Sequence, residues 1–315
     1  MTLPTSAASR AIAVVGNVNL DLKTSPIPAS DRLLADGETS VEEIYESLGG
    51  GGANLAVAAA RLGGAVHLCA AVGNDELGAK IAQALRRFGV TPHLRPKPVA
   101  TGRSINLNWD NSQRHFLSSL PHTRLLQADD VDFAELSGCR HLFRADIWFA
   151  EGMLEAGNGQ VLRRARDLGM TTSLDINWDP LWSAAGSAQR VSVRQRQVLE
   201  ILPLVDYVHG NERELAIFTG QADVRAACRM LTDRGAGAVV CHRGAAGSAI
   251  FSAGTGWCQV PATPVQRIVC QTGTGDVFSA AFLLLDDLPP AERLMECGRI
   301  AARHLEGAAD YIPRL

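Results

Sequence analysis

Lysine is scarce in this chain: Lys23, Lys80 and Lys97 are the only three among 30 basic residues, and the rest are arginine. No stretch gathers the basic residues, and the formal net charge is −3. A nucleic-acid binder needs a basic track for phosphates, so the sequence argues against that class. The 7 cysteines form no CxxC pair and no zinc-type Cys/His spacing, which predicts reduced thiols in a cytoplasmic protein. No run approaches the roughly 20 apolar residues of a membrane span. The first ten residues are small and polar, without the apolar core of a leader. A phosphate loop of the GxxxxGK[ST] type, a GxGxxG after the first strand, a GxSxG elbow and an HExxH pair are all missing, so dehydrogenase and serine-hydrolase readings lose support.

What is present is a globular composition, 46% hydrophobic and 20% charged over 315 residues. Short apolar runs alternate with helical patterns, which predicts an α/β fold with a largely parallel sheet. Strands are expected at residues 11–15, 66–72, 141–145, 171–175, 205–208 and 238–241. Helices are expected at 53–62, after Asn74 or Asp75, and at 223–234. Two stretches break the rhythm, about 22–47 and 99–120. Both read as ribbon outside the main sheet, forming a small lid on a single domain spanning residues 1–315.

Four segments hold candidate chemistry. Gly49-Gly50-Gly51-Gly52-Ala53-Asn54 opens an Ala-rich helix, and glycines let a ligand approach the backbone closely. The competing reading is a flexible linker. Gln271-Thr272-Gly273-Thr274-Gly275-Asp276 precedes a helical pattern, so its free N–H groups and the helix dipole favour an anion. Asp276 there is either a general base or simply a cap. Asn211 followed by Glu214 is close to a capping box, with a water-mediated Mg²⁺ role for Glu214 as the alternative. Asn19 and Asp21 alternate at the end of the first strand, which suits either a ligand edge or ordinary turn chemistry.

In this order and spacing the segments resemble the ribokinase-like PfkB carbohydrate kinases. GGGGANLAVAAARLGG with VGNDELG, and TGTGDVFSAAFL, are the specific motifs, joined by VVGNVNLDL, NERE and VVCHRGAAGSAIF. The resemblance implies a ribokinase-like three-layer α/β/α sandwich with a mostly parallel sheet and a small β-sheet lid. It implies ATP, Mg²⁺ and phosphorylation of a primary hydroxyl, with Asp276 as base and the Gly273–Thr274–Gly275 backbone as anion hole. Asn19, Asp21, Gly50, Gly51, Asn54 and Asp146 would hold the substrate. Asn211, Glu214, His242, Gly244, Gly247 and Thr272 would border the nucleotide, with Glu214 reaching the metal through water. A homodimer through the lid is also implied.

Three departures from the family pattern bear on substrate and cofactors. Cys270 stands where the family has an aspartate that helps hold a monovalent cation, so little dependence on K⁺ is expected. Gly51 replaces a lysine after the double glycine. Asp179 replaces the arginine of a DxNxR segment. Both changes point to a neutral sugar or sugar-like substrate, with Arg103 in the lid as the candidate cation should the substrate carry charge. A nucleoside kinase is the alternative, using Trp109, Phe116, Phe143 or Trp148 as a wall for the base. A non-catalytic sugar-binding relative is another.

Overall fold

A computed structural model describes residues 11–28, 36–111, 113–309, 311–312 and 314–315. The polar first ten residues and part of the first expected ribbon lie outside that set. The strands in chain order are β1 Ile12–Val15, β2 Asn19–Thr24, β3 Ile44–Gly49, β4 Val66–Gly73, β5 Val90–Lys97, β6 Arg103–Asn108 and β7 Arg114–Ser119. They continue as β8 His141–Arg144, β9 Thr171–Asp175, β10 Tyr207–Asn211, β11 Ala238–His242, β12 Ser248–Ser252 and β13 Gly256–Val260. Nine of them form one sheet, ordered β13-β12-β11-β10-β9-β8-β1-β4-β5. It is parallel from β11 through β5, and β12 and β13 add antiparallel at the edge.

Alternation along β1 explains the layering. Ile12 and Val14 enter one core, while Ala11, Ala13 and Val15 enter the other. The first core also takes residues of the Gly51–Arg61, Glu76–Arg87, Thr274–Leu284 and Pro290–Leu305 helices. The second takes residues of the Gly157–Asp167, Glu212–Thr219 and Val224–Asp233 helices. Helices on both faces of a parallel sheet let its strands be apolar throughout. The Thr274–Leu284 helix is buried at every position from Val277 to Leu284, as an apolar helix without a polar face must be.

Of Asn74 and Asp75, the cap is Asp75, which accepts from the Gly78 N–H at 2.9 Å; Asp223, expected as the first residue of its helix, caps it by accepting from the Ala226 N–H at 2.9 Å.

A second, four-stranded sheet, β3-β2-β6-β7, stands off the main one. It takes up the two stretches that broke the sequence rhythm, but β2 starts earlier: Asn19 and Asp21, expected at the end of the first strand, lie on the small sheet. Register and alternation divide its faces. One carries Asn19, Asp21 and Lys23 of β2 beside Ser104 and Asn106 of β6. The other carries Leu22, Ile105 and Leu117 in one row across three strands, with Ile44 at the margin; Ile105, Leu117 and Ile44 are exposed. No helix among the described residues is long and apolar enough to cross a membrane.

Candidate active site

The carboxyl ends of the parallel strands converge beneath the small sheet. Asn17 follows β1, Asp146 follows β8, Asp175 ends β9, Asn211 ends β10 and His242 ends β11. Polar residues there escape the ladder, which is why open α/β sheets bind ligands at this edge.

Asp276 lies in the first turn of the Thr274–Leu284 helix, whose cap is Gly273 at φ +77. That backbone is left-handed and suits glycine. Asp276 Oδ2 accepts from Asn54 Nδ2 at 3.0 Å, tying the two glycine-led helix starts together. Burial at the cleft floor, reinforced by the Asp146 charge, pushes the Asp276 carboxyl up to about 7. A carboxylate titrating near neutrality at a helix amino end suits proton abstraction beside an anion. Asn54 Oδ1 is buried and has no partner, leaving an acceptor for a hydroxyl.

The glycine run is a built surface, not a linker. A Cβ on Gly49 would sit 2.0 Å from Asp21 Oδ1, so only glycine lets β2 and β3 close there. The N–H groups of Gly51 and Gly52 donate to Asp146 at 3.1 and 2.7 Å, and Asn17 N–H donates to it at 2.9 Å. Asp146 has φ 54 and is buried. Three backbone N–H groups donate to its oxygens, so Asp146 fastens the end of β1 to the start of the Gly51–Arg61 helix, with one lone pair of Oδ1 left over. Asn19 Nδ2 donates to Asp21 Oδ1 at 2.7 Å, and burial raises the Asp21 carboxyl.

Asn211 and Glu214 form both halves of a capping box: Asn211 Oδ1 accepts from Glu214 N–H, and Glu214 Oε2 from Asn211 N–H, each at 2.9 Å. Glu214 also faces Asp175, whose carboxyl is raised well above its usual range by burial and then by Glu214 and Asp276. Among the described residues no three His, Cys, Asp or Glu side chains converge as a protein-built metal site. A divalent ion carried on phosphates would relieve the mutual repulsion of these acids, so the donor set fits water-mediated Mg²⁺.

His242 ends β11, packs its ring 4.8 Å from Phe278 and lies 3.5 Å from Ser279 Oγ. Burial pushes it down to about 4, so it is neutral. Gly244 and Gly247 flank the short turn that follows. Thr272 presents its carbonyl to His304 Nε2 at 2.9 Å. Burial opposes charge on both His304 and Cys270, but their mutual hydrogen bond prevails, raising the imidazole and lowering the thiol.

Two sequence inferences about the substrate change here. Asp179 is buried, pairs with Arg194 at 3.0 Å and caps the turn at Leu181, so it takes no part in the cleft. Arg103 alternates onto the outer lid face with Ile105. The cation that does reach the cleft face is Lys23, which sequence reasoning missed although its period-2 spacing from Asn19 and Asp21 was available. Arg114 shares that face, in register with Asn108. Of the aromatics named for a base wall, Phe143 and Trp148 are buried in the cores; Phe116 is on the cleft face of the lid and exposed.

Comparison with known proteins decides the family. The pfkB family carbohydrate kinase model matches residues 9–303. The chain belongs to that family. This PfkB-family protein is 26% identical over 309 residues to a ribokinase of Arabidopsis thaliana, covering 92% of this chain and 74% of that one. A PfkB protein from Polaromonas sp. JS666 shares the fold at a TM-score of 0.76 and 20% identity, over 95% of this chain and 97% of that one. A ribokinase II from E. coli, in complex with ATP and Mg²⁺, aligns at 0.76 and 21% identity, over 94% and 92%. As a PfkB-family member the protein is a phosphotransferase of the sugar and nucleoside kinase group.

Proposed function

We propose that the protein transfers the γ-phosphoryl group of ATP to a primary hydroxyl of a small sugar or sugar-like acceptor, with Asp276 as general base. The observation that carries this reading is Asp276 itself, raised to about 7 and hydrogen-bonded to Asn54 beside the Gly273 turn. Asp276 takes the hydroxyl proton as the acceptor oxygen attacks phosphorus. The Gly273, Thr274 and Gly275 N–H groups meet the charge spreading over the transferring group. Asn54, Asn19 and Asp21 orient the acceptor hydroxyls, and Gly50 and Gly51 let it lie close. Thr272, His242, Gly244 and Gly247 border the nucleotide. Mg²⁺ would sit on the phosphates, neutralising their charge, with Asn211 and Glu214 holding its water. The small sheet is a lid on one kinase domain and excludes water when closed.

The sugar reading is favoured over a nucleoside because two of four candidate base-stacking aromatics are spent in the cores. The test is ADP release from purified protein against pentoses, hexoses, sugar acids, phosphosugars and nucleosides, followed across pH. Turnover is expected with sugars. Because the working base is the ionised form of Asp276, kcat/KM is expected to drop about tenfold per unit below pH 7 and to level above it. Silence across the sugar arms, or a flat profile from pH 5 to 8, would contradict the assignment.

Two further expectations follow from the same geometry. The Thr272 carbonyl already accepts from His304, and a thiol is a poor ligand for a hard ion. Replacing K⁺ by choline should therefore leave turnover within about twofold, and stimulation of tenfold or more by K⁺ would refute this. The outer row Leu22–Ile105–Leu117 with Ile44, in which Ile105, Leu117 and Ile44 are exposed, supports a homodimer through the lids. Light scattering should give twice the chain mass; Ile105→Lys should give the monomer, and a wild-type monomer at micromolar concentration would remove the proposal.

A further inference from the structure

The lid face that bears Asn19 and Asp21 carries buried polar atoms with no partner, Ser47 Oγ and both amide atoms of Asn106, and a largely buried lysine stands beside Asn106. Lys23 of β2 is 6% exposed, and no carboxylate among the described residues lies within the 4.0 Å of an ion pair. Asn106 of β6, opposite Lys23 in the register, is 0% exposed, and both its Oδ1 and Nδ2 lack a hydrogen bond. Both alternate onto the face of Asn19 and Asp21. Asp21 leans over Gly49 at the start of the glycine run, so this face looks into the cleft.

A buried carboxamide without a partner, beside a largely buried lysine that forms no ion pair, is costly unless something fills the space between them. Burial lowers the Lys23 ammonium, and the Asp21, Cys270 and Asp276 charges oppose that shift from a distance. Those acids offset the charge without hydrogen-bonding it. A lysine and an amide together offer donors suited to an oxyanion.

Building on the phosphotransfer reading, we infer that Lys23 and Asn106 form an anion subsite that selects an acceptor bearing a carboxylate or phosphate as well as its primary hydroxyl. This replaces the neutral acceptor expected from Gly51 and Asp179. The cation enters from the lid and not from the glycine run, and Asp179 is occupied by Arg194. Lys23 is then a specificity determinant, held apart from the reacting atoms.

The experiment is calorimetric titration of the full protein with Mg²⁺ and a non-hydrolysable ATP analogue, using matched acceptors that each keep a primary hydroxyl. Gluconate is compared with glucose, and fructose 6-phosphate with fructose. No phosphoryl group moves in this assay, so its outcome is independent of whether Asp276 is the base; Asp276→Asn kinetics judge that separately. At least one anionic probe is expected to bind about 10- to 100-fold more tightly than its neutral partner, the worth of one charge-assisted hydrogen bond. Which probe gains tells carboxylate from phosphate. Lys23→Met should erase that ratio and Lys23→Arg should restore most of it. Neutral probes binding as tightly as the anionic ones in the wild type would overturn the inference. So would Lys23→Met weakening both members of a pair alike, which would make Lys23 a partner of Asp21 only. Loss of affinity for the ATP analogue in step with the acceptor would assign the ammonium to the nucleotide and overturn it too.

Discussion

Asp276→Asn should retain ATP affinity and lose at least about 10²-fold in kcat, the usual worth of a positioned general base. The substitution is nearly isosteric and keeps an oxygen for the Asn54 Nδ2 hydrogen bond, 3.0 Å in the wild type. What it removes is the proton acceptor. The wild-type carboxyl sits near 7 because burial disfavours its charge and Asp146 adds repulsion, so its ionised form holds a proton well at the pH of work. Such a base gains driving force over an ordinary carboxylate while still being largely ionised just above neutrality. Steady-state ADP release, with calorimetry for ATP, measures both halves. Near-normal turnover in the variant would show that the proton leaves by another route.

Asp146→Ala should destabilise the protein by at least about 3 kcal/mol. Three N–H donors, buried ones from Asn17 and Gly52 and a half-buried one from Gly51, lose their acceptor at once, and each unmet buried donor costs roughly 1–3 kcal/mol. Alanine would also inherit a left-handed backbone at φ 54, which an ordinary side chain adopts at a further cost near 1 kcal/mol. The loss is local in cause but wide in effect, because this carboxylate fastens the end of β1 to the start of the Gly51–Arg61 helix. The urea midpoint and slope measure it. A change below about 1 kcal/mol would mean that water replaces the carboxylate and that the residue is free to serve a ligand.

The same two residues show what can be read from sequence. Asp276 was legible because its neighbours in the chain define its setting: glycines, then an apolar helical pattern, place it at a helix start. Asp146 was only half legible. Its partners lie 94, 95 and 129 positions away, so no local pattern announces the three backbone donors it holds. Six strands of the main sheet were legible from their apolar runs, but β12, β13 and β5 were not. Pro92 and Pro96 make β5 read as loop, and it survives as a strand because it is the outermost of the sheet, where a missing donor costs nothing. Lys23 was within reach of simple alternation, and the same parity would have put Arg103 outside. The pairing of Asp179 with Arg194 needed the tertiary structure.

The Asn211–Glu214 pair shows that two readings need not compete. The capping box forms as its spacing predicts, and the capped helix start still projects Glu214 towards Asp175. A cap fixes one oxygen of a carboxylate, Oε2 here, and leaves the other open to water around a metal.

The most direct measurement is a crystal structure of the protein with Mg²⁺, a non-hydrolysable ATP analogue and a bound acceptor. The account predicts the γ-phosphoryl oxygens on the Gly273–Gly275 amides, and an acceptor hydroxyl within about 2.6–3.2 Å of an Asp276 oxygen and in line with the γ-phosphorus. A terminal phosphate bound away from that turn, or an acceptor whose hydroxyls avoid Asp276, would contradict it.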